Sequence, residues 1–266
     1  MARLLIAGFG FLGIALKDHF SAAGWAVDSL TRSGADGSQA CDLSDAEAVA
    51  GLNSEYDLII HCAATRGGGE DAYRSVYLHG CRNLRSHFPD TPFIFTSSTS
   101  VYGQTDHSEV TELSPANPSA ETSRVLRKTE DLVLAAGGVV VRLSALCGPG
   151  RCHTLKSFLN GTARMDGAGE RILNFVHRDD AASACLLIVD HWREARGQIY
   201  NVSAASLSQR QCYQSLADHY GRDLPPVAES GQRTKRRGSS SKIVGSGKIR
   251  AMGWEPSCPD FLSILH

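Results

Sequence analysis

Three glycines, Gly8, Gly10 and Gly13, close the run Leu4-Leu5-Ile6-Ala7-Gly8-Phe9-Gly10-Phe11-Leu12-Gly13, a G-x-G-x-x-G pattern. An apolar run leads into it and an apolar-rich stretch at helical spacing, residues 14–23, follows. The glycines therefore fall on a strand–turn–helix junction, the context in which the pattern carries chemistry. Gly8 makes the tight turn, Gly10 lets the backbone approach a pyrophosphate, and Gly13 lets the helix pack closely on the strand. Unpaired N–H groups at the helix start, from Phe11 and Leu12 onward, then face the phosphates together with the positive end of the helix dipole. The chemistry to expect is dinucleotide binding.

A second group of residues speaks to which dinucleotide. In NAD-selective sites an acidic residue ends the second strand, ~20 residues beyond the glycines, and bonds the ribose hydroxyls. Here that position is Thr31, followed by Arg32 and Ser33. No carboxylate stands there to repel a 2′-phosphate, and a guanidinium is ready to pair with one. NADP is the expected cofactor, with NAD the less favoured alternative.

The elements that must position these residues alternate regularly. Strand-like apolar runs at residues 25–30, 39–41, 56–62, 92–96, 139–143 and 198–202 follow the first. Helical patterns at 45–53, 70–87, 120–136 and 179–192 lie between them. Short, almost continuous apolar strands separated by helices argue for a parallel sheet covered on both faces. Right-handed crossovers make the doubly wound α/β arrangement, the Rossmann architecture, the economical topology. Two stretches break the rhythm: 151–173, rich in glycine, polar and basic residues, and everything from 206 onward. They predict a small C-terminal lobe over the strand ends, where open α/β sheets take their ligands. The expected division is 1–150 with 174–204 as the dinucleotide-binding domain, and 151–173 with 205–266 as the substrate lobe.

Composition narrows the function classes. The chain has 266 residues, is 42% hydrophobic and 21% charged, and carries a formal net charge of −1. Such a balance recruits neither nucleic acid nor an anionic membrane, and no stretch approaches the ~20 apolar residues of a membrane span. The first apolar run reads as a strand, and no signal peptide is expected. Eight cysteines are scattered without a C-x-x-C pair, and a reducing, cytoplasmic setting is expected. Cys147 and Cys152 flank a Gly-Pro-Gly turn and could bridge or bind metal, but buried, idle thiols are the expected reading and no metal is assigned.

Further segments fall in a telling order. They are Cys41-Asp42-Leu43, His61-Cys62-Ala63-Ala64, Thr96-Ser97-Ser98-Thr99-Ser100-Val101-Tyr102-Gly103, and Arg142 through Gly148-Pro149-Gly150. Phe175-Val176-His177-Arg178-Asp179-Asp180, Ile199-Tyr200-Asn201-Val202 and Met252-Gly253-Trp254-Glu255-Pro256 complete the series. With the glycine motif, they make the chain resemble an extended short-chain dehydrogenase/reductase of the NAD-dependent epimerase/dehydratase family, and within it the YeeZ-like branch. The resemblance implies that Asp42 and Leu43 meet the adenine edge and that Ala63 and Ala64 line the path to the nicotinamide. It also implies that Ser98, four residues before Tyr102, hydrogen-bonds the reacting oxygen; a strand-end residue capping the backbone is the bland alternative.

One departure matters more than the matches. The resemblance places the family's Tyr-x-x-x-Lys pair on the helix after Asn117-Pro118, at Thr122 and Leu126. A tyrosine of pKa ~10 becomes a usable base when a lysine ammonium and the nicotinamide cation lower it. A threonine hydroxyl cannot be tuned so far, and leucine brings no charge. Arg124 and Lys128 are nearby, but two residues of helix turn a side chain by ~200°. The YeeZ-like branch shares this loss and keeps an arginine at the place of Arg124.

Tyr102 is a candidate replacement acid or else a packing tyrosine. His177 and Asp180 match a largely architectural segment. Arg66, before three glycines, borders the expected crevice or lies in a solvated loop. Lys235-Arg236-Arg237 falls where related enzymes meet a substrate phosphate, or is a solvated charge run.

The resulting expectation is an NADP-dependent oxidoreductase or epimerase/dehydratase-like enzyme with an atypical active site. Its substrate would be a small polar carbonyl or hydroxyl compound, with sugar-like compounds within range. A dinucleotide-binding redox sensor or regulator without turnover is the alternative. A nucleotide-sugar epimerase ranks third, because the lobe is small and such enzymes rely on the missing tyrosine. A homodimer through helices near 70–87 and 119–136 is implied by the resemblance.

Overall fold

The computed structural model describes residues 1–52, 55–65, 67–228 and 240–266. Arg66 and the basic run Lys235-Arg236-Arg237 lie outside the described residues.

The strands, in chain order, are β1 (Arg3–Ala7), β2 (Ala26–Thr31), β3 (Gln39–Ala40), β4 (Leu58–His61), β5 (Phe93–Ser98), β6 (Glu109–Val110) and β7 (Val139–Leu143). After them come β8 (Ala145–Cys147), β9 (Ile172–His177), β10 (Ile199–Val202), β11 (Ala205–Ser208) and β12 (Ile243–Val244). The helices are α1 (Phe11–Ala22), α2 (Ala46–Ala50), α3 (Glu70–Tyr73), α4 (Gly80–His87) and α5 (Glu121–Ala135). The later ones are α6 (His153–Leu159), α7 (Arg178–Asp190), α8 (Trp192–Ala195), α9 (Gln209–Tyr220) and α10 (Gly247–Arg250).

Among the described residues a seven-stranded sheet runs β10-β7-β5-β4-β1-β2-β3, and its pairs are parallel. The order reverses beside β1, the switch point at which open α/β sheets bind ligands. Its central strands read as continuous apolar runs because both faces are covered. Leu5, Ile59, Phe93 and Phe95 face one core with Leu84, Val125 and Val133. Leu4, Ile6, Ile60 and Val141 face the other with Leu16, Phe20, Ala184 and Ile188. The doubly wound Rossmann-like architecture is the one the alternation implied.

Two local differences from the sequence expectation stand out. The single helix expected over 70–87 contains a π-helical segment, Arg74–His79, between α3 and α4. A π turn offers its carbonyls to i+5 partners, and Val76 O lies 3.0 Å from the buried His61 Nε2. The helix expected over 179–192 begins at Arg178 and breaks after Asp190.

A second sheet serves the lobe, and it takes β8 and most of β9 from stretches that the expected division gave to the dinucleotide-binding domain. β8, β9 and β11 form a three-stranded layer in the order β11-β9-β8, with β9 central, antiparallel to β11 and parallel to β8. It covers a third core of Cys147, Cys152, Phe158, Phe175, Cys212, Tyr213 and Leu216. The chain's last turns are strapped down by Asp180, whose carboxylate accepts from the amides of Ser257 at 2.7 Å and Cys258 at 3.1 Å. The Trp254 indole donates to Asp180 O at 3.1 Å. That is the architectural duty expected of Asp180.

Candidate dinucleotide and substrate site

β1 hands the chain to α1 through the three glycines, and they differ sharply in what surrounds them. Gly8 has φ +117, and a Cβ there would lie 2.2 Å from Ala63 N. The chain leaving β4 is pressed against this turn, with the amides of Cys62 and Ala63 both donating to Ala7 O, at 2.9 and 2.8 Å. A Cβ on Gly13 would lie 2.4 Å from Gly8 O. A Cβ on Gly10 would meet nothing within 4 Å. Gly8 and Gly13 are demanded by the protein's own packing, whereas Gly10 opens onto free space before the first turn of α1.

That turn is prepared for an anion. α1 has no side-chain cap and no acidic residue in its first turn. The first described intrahelical donor is Ile14, bonding Gly10 O at 2.9 Å, so the amides of Phe11, Leu12 and Gly13 are the orphan donors of a helix start. The Phe11 ring lies 4.9 Å from the Arg151 guanidinium and 5.1 Å from that of Arg178. α7, which begins at Arg178, packs along α1. Open space, unpaired amides and two neighbouring cations fit a pyrophosphate.

The far end of the crevice is built by the loop after β2. Thr31 Oγ1 meets Ser38 Oγ at 2.7 Å and accepts from Ala35 N at 3.0 Å, which shapes the loop. Arg32 and Ser33 are exposed. The Arg32 side chain is 76% exposed, and its Nε lies 3.7 Å from Asp42. Asp42 accepts from the Ser44 hydroxyl and amide at 2.7 and 2.9 Å, and these bonds hold its carboxyl below the usual carboxylate range. Leu43 is buried beside it, while Ala63 is half-buried and Ala64 exposed.

Ser98 is the last residue of β5 and is half-buried. Its Oγ accepts from Ser100 N at 3.1 Å, capping the 3-10 turn Thr99–Val101. Its own hydroxyl proton is not used by that bond. Thr122 and Leu126 lie on α5, which packs against β5 and this turn. Ser123 Oγ donates to Ser100 Oγ at 3.1 Å and ties the two together. Arg124 is turned to the surface and paired with Glu121.

Tyr102 is placed differently from a proton carrier. It is fully buried, and its hydroxyl accepts from Arg142 at 2.8 Å and lies 2.9 Å from both Thr111 O and Asn201 Oδ1. Burial raises the phenol above its ordinary pKa against the pull of Arg142, the opposite of what a base requires. His177 caps α7, its Nδ1 accepting from Asp179 N at 3.3 Å.

Sequence reasoning missed one buried cation. Lys242 Nζ donates to Tyr102 O at 3.0 Å and Ser240 Oγ at 2.9 Å, and burial lowers its pKa to about 8. A lysine in a serine- and glycine-rich stretch gives no signal of burial.

Residues 4–203 match the description NAD dependent epimerase/dehydratase family. Protein YeeZ of Escherichia coli K12 is 30% identical over 98% of this chain and 97% of its own length. The chain belongs to the NAD dependent epimerase/dehydratase family. For this family an NAD(P) cofactor is the expectation. Solved structures agree on the fold. DesIV, a dTDP-glucose 4,6-dehydratase from Streptomyces venezuelae with NAD and TYD bound, superposes with a TM-score of 0.81 at 22% identity, covering 99% of this chain and 94% of that one. The human epimerase family protein SDR39U1 (isoform2) with NADPH does so with a TM-score of 0.81 at 21% identity, covering 99% and 97%. Among the described residues no helix is long and apolar enough to cross a membrane, and no cluster of metal-ligating side chains occurs.

Proposed function

We propose that this protein is an NADP-dependent oxidoreductase or epimerase/dehydratase-like enzyme acting on a small polar, sugar-like carbonyl or hydroxyl compound, with a proton carrier other than the family's tyrosine. The observation that carries the reading is the free space at Gly10 before an uncapped α1, combined with exposed Arg32 where an NAD-selective site has a carboxylate. The amides of Phe11, Leu12 and Gly13 hold the pyrophosphate. Arg32, with Thr31 and Ser33, takes the 2′-phosphate, while Asp42 and Leu43 meet the adenine and Ala63 and Ala64 line the way to the nicotinamide. The cofactor, when bound, supplies hydride transfer. Ser98 donates its free hydroxyl proton to the substrate oxygen and so stabilises the charge that gathers there. Tyr102 acts as a buttress that keeps the strand end in place. The surface of α3, α4 and α5 is the face for a homodimer.

A second reading, a dinucleotide-binding redox sensor without turnover, draws support from one set of facts. Thr122 and Leu126 stand at the Tyr-Lys positions, and the Tyr102 hydroxyl is locked in the core. Calorimetric titration with NADPH and NADH, followed by NADPH consumption across polar aldehydes and ketones, separates the two. Tight NADPH binding with turnover supports the enzyme, and tight binding without turnover on any of them supports the sensor. Absence of dinucleotide binding ends both.

A further inference from the structure

The turn that brings Arg151 over Phe11 is closed by two cysteines. Gly148 and Arg151 exchange both backbone hydrogen bonds, Gly148 N to Arg151 O at 3.1 Å and Arg151 N to Gly148 O at 2.9 Å. They are thus a hydrogen-bonded antiparallel pair around Pro149-Gly150. The next position outward, Cys147 opposite Cys152, falls at the non-hydrogen-bonded site, where facing Cα atoms come within about 4.5 Å. Disulfides span Cα separations of about 4.4–6.8 Å, so the backbone already holds a geometry in which the two sulfurs can join. Each thiol shifts the other, Cys147 upward and Cys152 downward. Both side chains are buried, yet the neighbouring Cys147 holds the Cys152 thiol below its ordinary range against the effect of burial. Two facing thiols at disulfide-compatible backbone spacing, one of them held below its ordinary range, make a dithiol that can close by exchange. Cys62, Cys81, Cys185 and Cys212 are pushed up by burial, and Cys147 is raised as well; the downward shift of Cys152 is what sets this pair apart.

We propose that Cys147 and Cys152 are a reversible thiol–disulfide site for hydroperoxides, and that its oxidation alters the dinucleotide cradle through Arg151. The Cys152 thiolate attacks one peroxide oxygen, the O–O bond breaks, and the departing oxygen leaves as water or alcohol after taking a proton. Cys152 is now a sulfenic acid. The Cys147 sulfur attacks the Cys152 sulfur, an S–S bond forms, the S–O bond breaks, and hydroxide leaves with the Cys147 proton as water. The two thiols together lose two electrons and the peroxide gains them. A dithiol reductant restores both thiols by exchange. Arg151 lies inside the closed loop, so the cross-link fixes the turn that sets its guanidinium 4.9 Å from the Phe11 ring. This second step rests on the dinucleotide reading.

The test uses the full chain and hydrogen peroxide. Trypsin cuts after Arg142, Arg151 and Lys156, so the oxidised protein should yield peptides 143–151 and 152–156 joined until a reductant is added. Two of the eight thiols should vanish from a denatured titration. Cys147→Ser should trap a sulfenic acid on Cys152, captured by dimedone, and Cys152→Ser should leave Cys147 unoxidised. Failure to find the joined peptides in the oxidised parent overturns the site, whatever the variants do. NADPH affinity is then compared between reduced and oxidised parent, with a change of about threefold or more expected. Equal affinities overturn the coupling to the cradle. Reduced protein that binds no dinucleotide would instead fail the functional reading and leave the cross-link standing.

Discussion

Arg142 donates to Glu130 twice, from Nε at 3.0 Å and from a terminal nitrogen at 2.6 Å, with neither side chain reaching solvent. Ser97 adds a bond to the same carboxylate at 2.7 Å, and Arg142 reaches on to the Tyr102 hydroxyl. The fork joins β5, β7 and α5 directly beneath the Ser98 end of the sheet. Arg142→Met leaves the Glu130 carboxylate buried without its main partner, a loss of about 3–5 kcal/mol. Urea unfolding of the two proteins measures it. A cost below about 1 kcal/mol would show that the pair does not hold the strand end.

Gly10 and Gly13 should separate binding from folding. Gly10→Val puts methyl groups into free space, so the variant should keep the parent's unfolding transition and lose NADPH binding. Gly13→Ala drives a Cβ to 2.4 Å from Gly8 O, and should lower stability whether or not cofactor is present. Circular dichroism melts with calorimetric titration read both. A Gly10→Val protein that binds like the parent sinks the cradle.

Arg32 is the selectivity residue of the proposal. Arg32→Ala should weaken NADPH by about tenfold or more, because charge-assisted bonds to phosphate are worth roughly 1.5–3 kcal/mol. NADH affinity should change little. Equal losses for both cofactors would move the 2′-phosphate away from this loop.

For catalysis, Ser98→Ala should reduce kcat by about tenfold or more, the equivalent of one lost hydrogen bond to developing charge. Thr122→Val should leave turnover near the parent's. Tyr102→Phe should lower stability through the lost contacts with Arg142 and Asn201, and kcat measured on its folded fraction should hold. An inactive Thr122→Val beside a fully active Ser98→Ala would reverse the assignment.

His61 makes the fold acid-sensitive. Burial lowers its pKa to about 4 against an ordinary 6.5. Between those values the unfolded chain binds the extra proton, so this residue's contribution is complete above about pH 6.5 and is lost as pH falls toward about 4. The loss amounts to roughly 3 kcal/mol at the acid end. Urea midpoints from about pH 7.5 to about pH 5 should fall less steeply for His61→Asn than for the parent. An imidazole resonance of His61 titrating near 6.5 in the folded protein would contradict it.

The parallel sheet was legible because β1, β4, β5 and β7 are apolar on both faces, a pattern that few other environments produce. The glycine turn was legible because the requirement at Gly8 and Gly13 is steric and excludes every other residue. The lobe sheet was not. β8 has three residues, and β9 finds partners at Ala145 on one side and Ala205 on the other, so its pairing exists only in the assembled fold. Tyr102 reads identically as an acid or as packing, and the environment supplied by Arg142 and Asn201 is what distinguishes them. Lys242 is buried only because the chain returns beside Tyr102, far along the sequence.

The π segment between α3 and α4 makes chain length itself a structural parameter. Each residue turns a helix by about 100°, so the helix on either side of Arg74–His79 carries its side chains in two phases. Tyr73 and Tyr77 meet across the shift with ring centroids 5.0 Å apart, and His61 bonds the carbonyl of Val76 within it. Losing one residue within Arg74–His79 would turn its i+5 bonds into i+4 bonds and move the Val76 carbonyl away from His61. The loss would be felt at the buried His61 through a backbone carbonyl, regardless of which side chain disappeared.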